Sequence, residues 1–515
     1  MTAQYPSESP GPGTPRFTRV LFNVLFASVG YVAIRFLIAP IRIKLLTSLL
    51  SKEDYGLLTL IMLTVSFITL ISSLGSLEFM LRKLPGRDAA YQFQTLRTVA
   101  TYFGILAGII GVAGVCVLVA WQPETLGLRP SDLIAVALIL VFTVHLIQLV
   151  FFLMARSQYA QSRLLMLLYA DAWFLPILGF MWYIELTVSF MLWLWVVWLA
   201  LSIVFSQVYV RTRELLRHAP SRNLLRRILT FGVPLLPMIM GEWIFQVQDR
   251  YVLLAFTDLE AVANFTLCFN IAWVGVATGT SMLDLLITEF YKARNRVASS
   301  DFSALVTHES LRRSFTMLLR YGLVLSTPIV LALWFAGLPI ILLLSDPKFA
   351  DAAYIMRWVA PLPLLYLMVV VAGRTLMAVD RGGIVGVGTL CAAGLHLVLA
   401  IILAPLLAER GVALAGCLAY GVLAIYLGGR VRLLRWINWK ELRPYRLIAF
   451  IVVSAAGWHI ATTSMESRTL PVLLLGGMIS LAAMFGLGLL RKTDIQQIRD
   501  SMQVPPEPEE PFPRD

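Results

Sequence analysis

Four polar side chains recur on a stretch that is otherwise apolar: Glu242, Gln246, Asp249 and Arg250, between Gly241 and Phe256. On an α-helix turning 100° per residue they fall within one sector about 100° wide. Charge at the centre of a bilayer costs about 2.5–3.5 kcal/mol, so such groups face protein or a wet cavity and mark binding or ion-relay sites. A second stripe, Ser28, Tyr31, Arg35 and Arg42, lies near the N-terminus. Its run offers no acid to pair with Arg35, whereas snorkelling to the interface would also account for Arg42. Asp171, within Tyr169-Ala170-Asp171-Ala172-Trp173, reads either as a proton or cation site or as a carboxylate bonded to another helix. The structural alternative for Asp249 and Arg250 is that they neutralise each other or neighbouring helices and fix the bundle. His145 and His396 read first as packing residues. Asp284 and Glu289 read as a solvated face.

The helices that must carry these groups follow from composition. The 515 residues are 59 % hydrophobic and 14 % charged, with mean hydropathy +0.79. A soluble globular chain has about a quarter charged residues. Apolar runs such as 133–152 and 471–490 reach the roughly 20 residues that cross a bilayer core. The chain is therefore expected to be an all-α polytopic membrane protein. Fourteen spans are expected: 18–40, 56–81, 98–121, 131–154, 162–183, 186–209, 228–256, 260–287, 316–344, 353–373, 382–406, 411–429, 446–463 and 469–490. Pro234 and Pro237 should kink or unwind the seventh. Gly104, Gly108 and Gly111 should allow close packing of the third. The four cysteines sit in apolar runs, with neither a disulfide framework nor metal-ligand spacing.

With both termini cytoplasmic, most of the 42 basic residues flank the cytoplasmic side, as the positive-inside rule requires. The outer flanks carry only Arg42, Lys44, Lys52, Arg129, Lys348, Arg410 and Arg468, and Arg35, Arg250 and Arg357 lie within spans. The net charge of +12 is thus explained by orientation and anionic phospholipids, not nucleic acid. A shift of 208 positions lays Arg19 on Arg227 and Arg42-Ile43-Lys44-Leu45-Leu46 on Arg250-Tyr251-Val252-Leu253-Leu254. Equal direction of spans 1 and 7 makes this a parallel repeat of two six-span halves. The expected organisation is a polar lead (1–15), an N-lobe (16–210), a basic linker (211–227), a C-lobe (228–435), two added spans (436–492) and a cytoplasmic tail (493–515). No Cys/His metal spacing, phosphate-cradling glycine loop or Ser/His/Asp set emerges, and no loop is long enough for a catalytic domain. A non-enzymatic carrier without a cofactor, coupled if at all to H+ or Na+, is the reading that remains.

Several motifs resemble one family. Leu49-Leu50-Ser51-Lys52-Glu53-Asp54-Tyr55-Gly56-Leu57-Leu58, Leu70-Ile71-Ser72-Ser73-Leu74-Gly75, Phe231-Gly232-Val233-Pro234-Leu235 and Asp249-Arg250-Tyr251-Val252-Leu253 are similar to signatures of the polysaccharide-exporter, or Wzx-type oligosaccharide flippase, family. Ala263-Asn264-Phe265 departs from it, standing where the family often has a Gly-Tyr pair. The resemblance implies a V-shaped fold of the multidrug/oligosaccharidyl-lipid/polysaccharide exporter superfamily, with two six-helix lobes and two C-terminal helices. It implies movement of undecaprenyl-diphosphate-linked oligosaccharides across the bacterial inner membrane, alongside a glycan polymerase and chain-length regulator. Arg35, Arg42 and Arg250 would bind the diphosphate from a water-accessible central cavity. Asp249 and Glu242 would hold Arg250 and carry a coupling ion. A drug or cation antiporter of the same fold and a peptidoglycan-precursor flippase are the rival readings.

Overall fold

The computed structural model describes residues 31, 34, 37–85, 87–121, 128–156, 158–180, 186–209, 212–276, 309–378, 381–464 and 469–489. Ser28, Arg35, Asp284 and Glu289 lie outside these residues. The main helices are α1 (37–49), α2 (Lys52–Ser72), α3 (Ala89–Trp121), α4 (Pro130–Ala155), α5 (Tyr159–Met166), α6 (Val188–Ser206), α7 (Leu236–Phe256) and α8 (Leu259–Val276). They continue with α9 (Glu309–Phe335), α10 (Leu362–Ala378), α11 (382–407), α12 (409–431), α13 (Pro444–Ser464) and α14 (Thr469–Gly486). No strand occurs among the described residues.

Ten helices among the described residues are long and apolar enough to cross a membrane, which makes this a multi-pass membrane protein. Ten differs from the expected fourteen for definable reasons, beginning with the expected span 18–40, most of which lies outside the described residues. The 50-residue helix Gly382–Val431 is a hairpin, because Ala408 takes φ 48 and reverses the chain. A β-carbon at Gly388 would lie 2.7 Å from the Tyr426 ring, and one at Gly411 would lie 2.2 Å from the carbonyl oxygen of Leu403, so α11 and α12 run antiparallel. The expected span 162–183 is broken into α5, a π-helical turn Leu167–Asp171 and a short helix Ile177–Phe180. Any 18-residue window of α7 contains Glu242, Asp249 and Arg250, so the helix richest in intramembrane charge falls outside the ten.

Helix starts are written in the sequence. Ser51 caps α2 by accepting from the Asp54 amide at 3.0 Å, and Glu53 and Asp54 complement the helix dipole. Asp132 accepts from the Arg129 amide at 3.0 Å where Pro130 opens α4. The amphipathic helix Arg222–Gly232 is capped by Ser221 and leads through a 3-10 turn, Val233–Leu235, into α7. Pro234 sits in that turn, so the expected loosening occurs there.

Packing groups α3, α4 and α6 with α2, and α7 and α10 with the α11–α12 hairpin, while α13 and α14 pair and reach α9. Between these groups α2 crosses α7 and α8. At one end of the crossing a β-carbon on Gly56 would lie 2.3 Å from the carbonyl oxygen of Leu259. At the other end Gly75, with φ 73, faces Gly232: a β-carbon on Gly232 would lie 2.0 Å from the carbonyl oxygen of Leu74. Only glycine permits backbones this close. The expectation for Gly104 and Gly108 is corrected. Neither has a neighbour within 4 Å of a built β-carbon, and only Gly111 approaches another helix, at Ala137.

Polar contacts reinforce both ends. At the Gly56 end Lys52 Nζ meets Asp351 Oδ2 at 2.7 Å, Lys348 Nζ donates to the Leu50 carbonyl at 2.6 Å, and the Asp346 amide donates to Thr47 Oγ1 at 3.1 Å. Lys44 also donates to the Ser345 carbonyl. At the Gly75 end Phe79 meets Phe231 edge-on at 5.8 Å, Arg82 lies over the same ring, and the Ser221 amide donates to Thr98 Oγ1 at 3.0 Å.

Overpacking a tight site costs typically 1–3 kcal/mol. Gly232→Ala is therefore expected to lower the thermal unfolding midpoint in detergent by several degrees. Gly477→Ala, where a β-carbon meets nothing within 4 Å, is expected to leave it unchanged. Equal midpoints would show that the crossing does not depend on bare backbone.

Candidate functional site

The residues expected to carry chemistry lie at and beside this crossing. On α7, Trp243 stacks on Phe67 of α2 with ring centroids 3.5 Å apart, and the Tyr251 hydroxyl meets Thr64 Oγ1 at 2.6 Å. These contacts fix α7 against α2 and turn Asp249 and Arg250 toward α8 and the α11–α12 hairpin.

Arg250 is 1 % exposed. Its guanidinium lies over Phe269 at 4.1 Å and Phe265 at 5.1 Å, both on α8. One terminal nitrogen donates to the carbonyl of Gln246 on its own helix, while the buried Nε has no hydrogen-bond partner. A desolvated cation over an aromatic face gains about 2 kcal/mol, less than the several kcal/mol that burying the ion costs. The site thus holds a buried cation with one unsatisfied donor.

Asp249 acts on Arg250 electrostatically but makes no ion pair with it; its Oδ1 lies 2.9 Å from His396 Nε2 of α11, with the two side chains 2 % and 0 % exposed. Phe245 lies beside the imidazole at 5.5 Å and beside the Tyr420 ring of α12 at 4.4 Å. His396 thus packs against a buried carboxylate, and neither of its ring nitrogens makes a hydrogen bond. Glu242 is also corrected. It shares a helical sector with Arg250, but eight residues of rise separate them by about 12 Å. Glu242 is exposed, and its charged neighbours are Arg374 of α10 and Glu78 of Ser76–Lys83, groups from both sides of the crossing.

Arg42 approaches the same region from α1. Its terminal nitrogen donates to the carbonyl of Ala170 at 3.5 Å. Arg42 and Arg250 both lie close enough to Tyr55 to act on it electrostatically. Tyr55 itself is only 2 % exposed. Asp171 is 3 % exposed in the π-helical turn and accepts from the Tyr31 hydroxyl at 3.1 Å. The structure so brings Arg42 and Arg250 within electrostatic range of Tyr55, sets Arg42 beside the turn that holds Asp171, and leaves Glu242 apart; Arg35 lies outside the described residues. The expectation that Arg250 stands in an open, watery hollow is corrected, because in this conformation it is sealed behind α8.

Sequence inspection missed Tyr55, Phe269, Arg374 and Tyr420. Tyr55 stands inside the quoted Lys52–Leu58 motif, so that signal was present. The aromatic pair over Arg250 had one signal, the i, i+4 spacing of Phe265 and Phe269 on α8. No group of three or more potential metal ligands occurs among the described residues.

Solved structures define the class. The chain is similar to the lipid II flippase MurJ in an inward closed conformation, at 13 % identity and TM-score 0.67, covering 93 % of this chain and 99 % of that one. An inward-facing multidrug resistance MATE family transporter of the MOP superfamily matches at 17 % identity and TM-score 0.57, covering 78 % and 94 %. A MATE structure in the straight conformation matches at 16 % and 0.52, covering 81 % and 96 %. The fold is that of these flippases and transporters. Comparison with curated proteins yields no match. Residues 45–353 match the family described as "Polysaccharide biosynthesis protein", and the chain belongs to that family.

Breaking a buried ionic contact by removing one partner costs roughly 3–5 kcal/mol. His396→Ala is accordingly expected to destabilise the protein strongly. Asp249→Asn added to it should recover part of the loss, as read by thermal unfolding of the four members of the cycle. Strict additivity would show that the two side chains do not interact.

Proposed function

We propose that this protein moves undecaprenyl-diphosphate-linked oligosaccharide repeat units across the bacterial inner membrane by alternating access, for surface polysaccharide synthesis. Both termini face the cytoplasm, so the Gly56 end of the crossing faces outward and the Gly75 end inward. The observation that carries the reading is the placing of two arginines, Arg42 beside the π-helical turn and Arg250 under α8 with its Nε unbonded, within a chain of a polysaccharide biosynthesis family. Arginine presents a planar fork of donors that matches phosphate oxygens two at a time. In the sealed state Arg250 is parked between phenylalanines. When the crossing opens, α8 withdraws and both guanidinium groups, with Arg35, face the diphosphate. The polyprenyl tail remains in lipid and the sugars pass between the lobes, so only the anionic head requires escort through the apolar layer.

Asp249 with His396, and Glu242 with Arg374, are the places where a proton or sodium ion would bias opening. Each pair links α7 to another helix, so changing its charge alters how α7 sits. A glycan polymerase and a chain-length regulator would act on the released repeat unit. The likeness to a lipid II flippase supports a second reading in which the cargo is a peptidoglycan lipid precursor.

Each charge-assisted hydrogen bond contributes about 1.5–3 kcal/mol, or roughly ten- to a hundredfold. Depleting the protein is expected to leave lipid-linked oligosaccharide on the cytoplasmic face. Arg42→Ala and Arg250→Ala, at normal protein levels, should each restore less than about a tenth of export. Full export by Arg250→Ala would overturn the assignment, and accumulation of the peptidoglycan precursor alone would replace the cargo.

A further inference from the structure

The outward-facing end of the C-terminal half carries a second cationic feature that the transport site does not use. α9 breaks at Ala336, whose φ −110 and ψ 29 are not helical, and the chain restarts as Gly337–Leu344. The break opens a groove of about 570 Å³ walled by Trp334, Tyr354, Trp358, Arg357 and Arg410, among others. Tyr354, Arg357 and Trp358 come from the short helix Ala353–Val359, and Arg410 stands just past the Ala408 turn between α11 and α12.

Arg410 is built into place. Its guanidinium lies 4.5 Å over the Tyr354 ring, and Glu409, itself 8 % exposed, lies close enough to Tyr354 to act on it electrostatically. That carboxylate, adjoining Arg410 in sequence, makes no ion pair with it. Asp351, the other acid near Tyr354, is engaged by Lys52 at 2.7 Å. No carboxylate lies within ion-pair distance of Arg357 or Arg410 among the described residues. Other basic residues at this end are committed to the crossing: Lys44, Lys52 and Lys348 all bond across it. Arg357 and Arg410 are exposed, as are Trp334 (46 %), Trp358 (41 %) and Tyr354 (37 %).

Two unpaired guanidinium groups at a lipid boundary are disfavoured unless something anionic joins them, and the positive-inside rule makes them rarer still on the outward side. Tryptophan and tyrosine place the groove at headgroup depth, where an aromatic ring can border an acyl chain on one side and a polar head on the other. We infer that this groove binds the phosphate headgroup of an anionic phospholipid from the outward leaflet, with Arg357 and Arg410 as its cationic wall and Tyr354 as the platform that positions Arg410. The lipid seals the notch at Ala336 and braces the helices that carry Asp346, Lys348 and Asp351. The site requires only the membrane orientation given above and is independent of the cargo.

The test reconstitutes the full chain into nanodiscs of phosphatidylcholine with graded phosphatidylglycerol, and quantifies protein-bound lipid by native mass spectrometry. The wild-type protein is expected to retain phosphatidylglycerol selectively. Arg357→Gln/Arg410→Gln should lose that retention about tenfold, with phosphatidylcholine unchanged, and Tyr354→Phe should weaken it less. If the double variant does not elute as a single species, the single substitutions at these exposed positions are read instead. Unchanged phosphatidylglycerol retention would overturn the inference. In a parallel arm with undecaprenyl diphosphate, selective loss of that lipid in place of phosphatidylglycerol would overturn the assigned source and make the groove a station for released cargo.

Discussion

The fold depends on how closely one backbone may approach another where α2 crosses α7 and α8. Gly56 against Leu259 and Gly75 against Gly232 leave no room for a β-carbon at either end. Glycine at these points lets the helices touch along the crossing, and side chains between the ends then interlock, Phe67 on Trp243 and Thr64 on Tyr251. Close backbone contact gives dispersion and steric fit without burying a salt bridge, so the crossing can part without leaving a charge stranded. The polar contacts added at the Gly56 end fit that requirement. Lys52 bridges Asp351 and Glu260, acids more than half exposed, and exposed ion pairs contribute about 0–1 kcal/mol. Such a clamp holds a state without locking it.

The charges that cannot part so cheaply are held to one side. Arg250 and Asp249 are buried among α8, α11 and α12, where phenylalanine faces, a backbone carbonyl and an imidazole receive them. The α2 face of α7 is aromatic, whereas its other face carries the buried charges. Tyr55 stands on α2, buried within electrostatic range of both arginines.

The helical membrane class, the caps and the chemical identity of Arg42, Asp249 and Arg250 as the residues to follow were legible because composition and 3.6-residue periodicity act locally. Partners were not. Helical angle alone put Glu242 beside Arg250, but axial rise takes it toward Arg374. Adjacency in sequence suggested that Asp249 pairs with Arg250, yet successive residues on a helix diverge by 100° and Asp249 turns to His396, 147 positions on. The glycines were misjudged likewise. The regular spacing of Gly104, Gly108 and Gly111 looked like a packing seam, whereas the tight contacts of the α2 crossing belong to Gly56, Gly75 and Gly232, set singly in the quoted motifs. Spacing within one helix carries no information on which neighbour it meets.

On the proposed function, opening of this crossing is the central event. Its most direct measurement is a pair of spin-label distances in proteoliposomes, one across residues 48 and 343 and one across residues 82 and 227, with and without undecaprenyl-diphosphate-linked saccharide. The account predicts that the two distances change in opposite senses, one end parting as the other stays shut. Distances that remain fixed, or ends that open together, would contradict it.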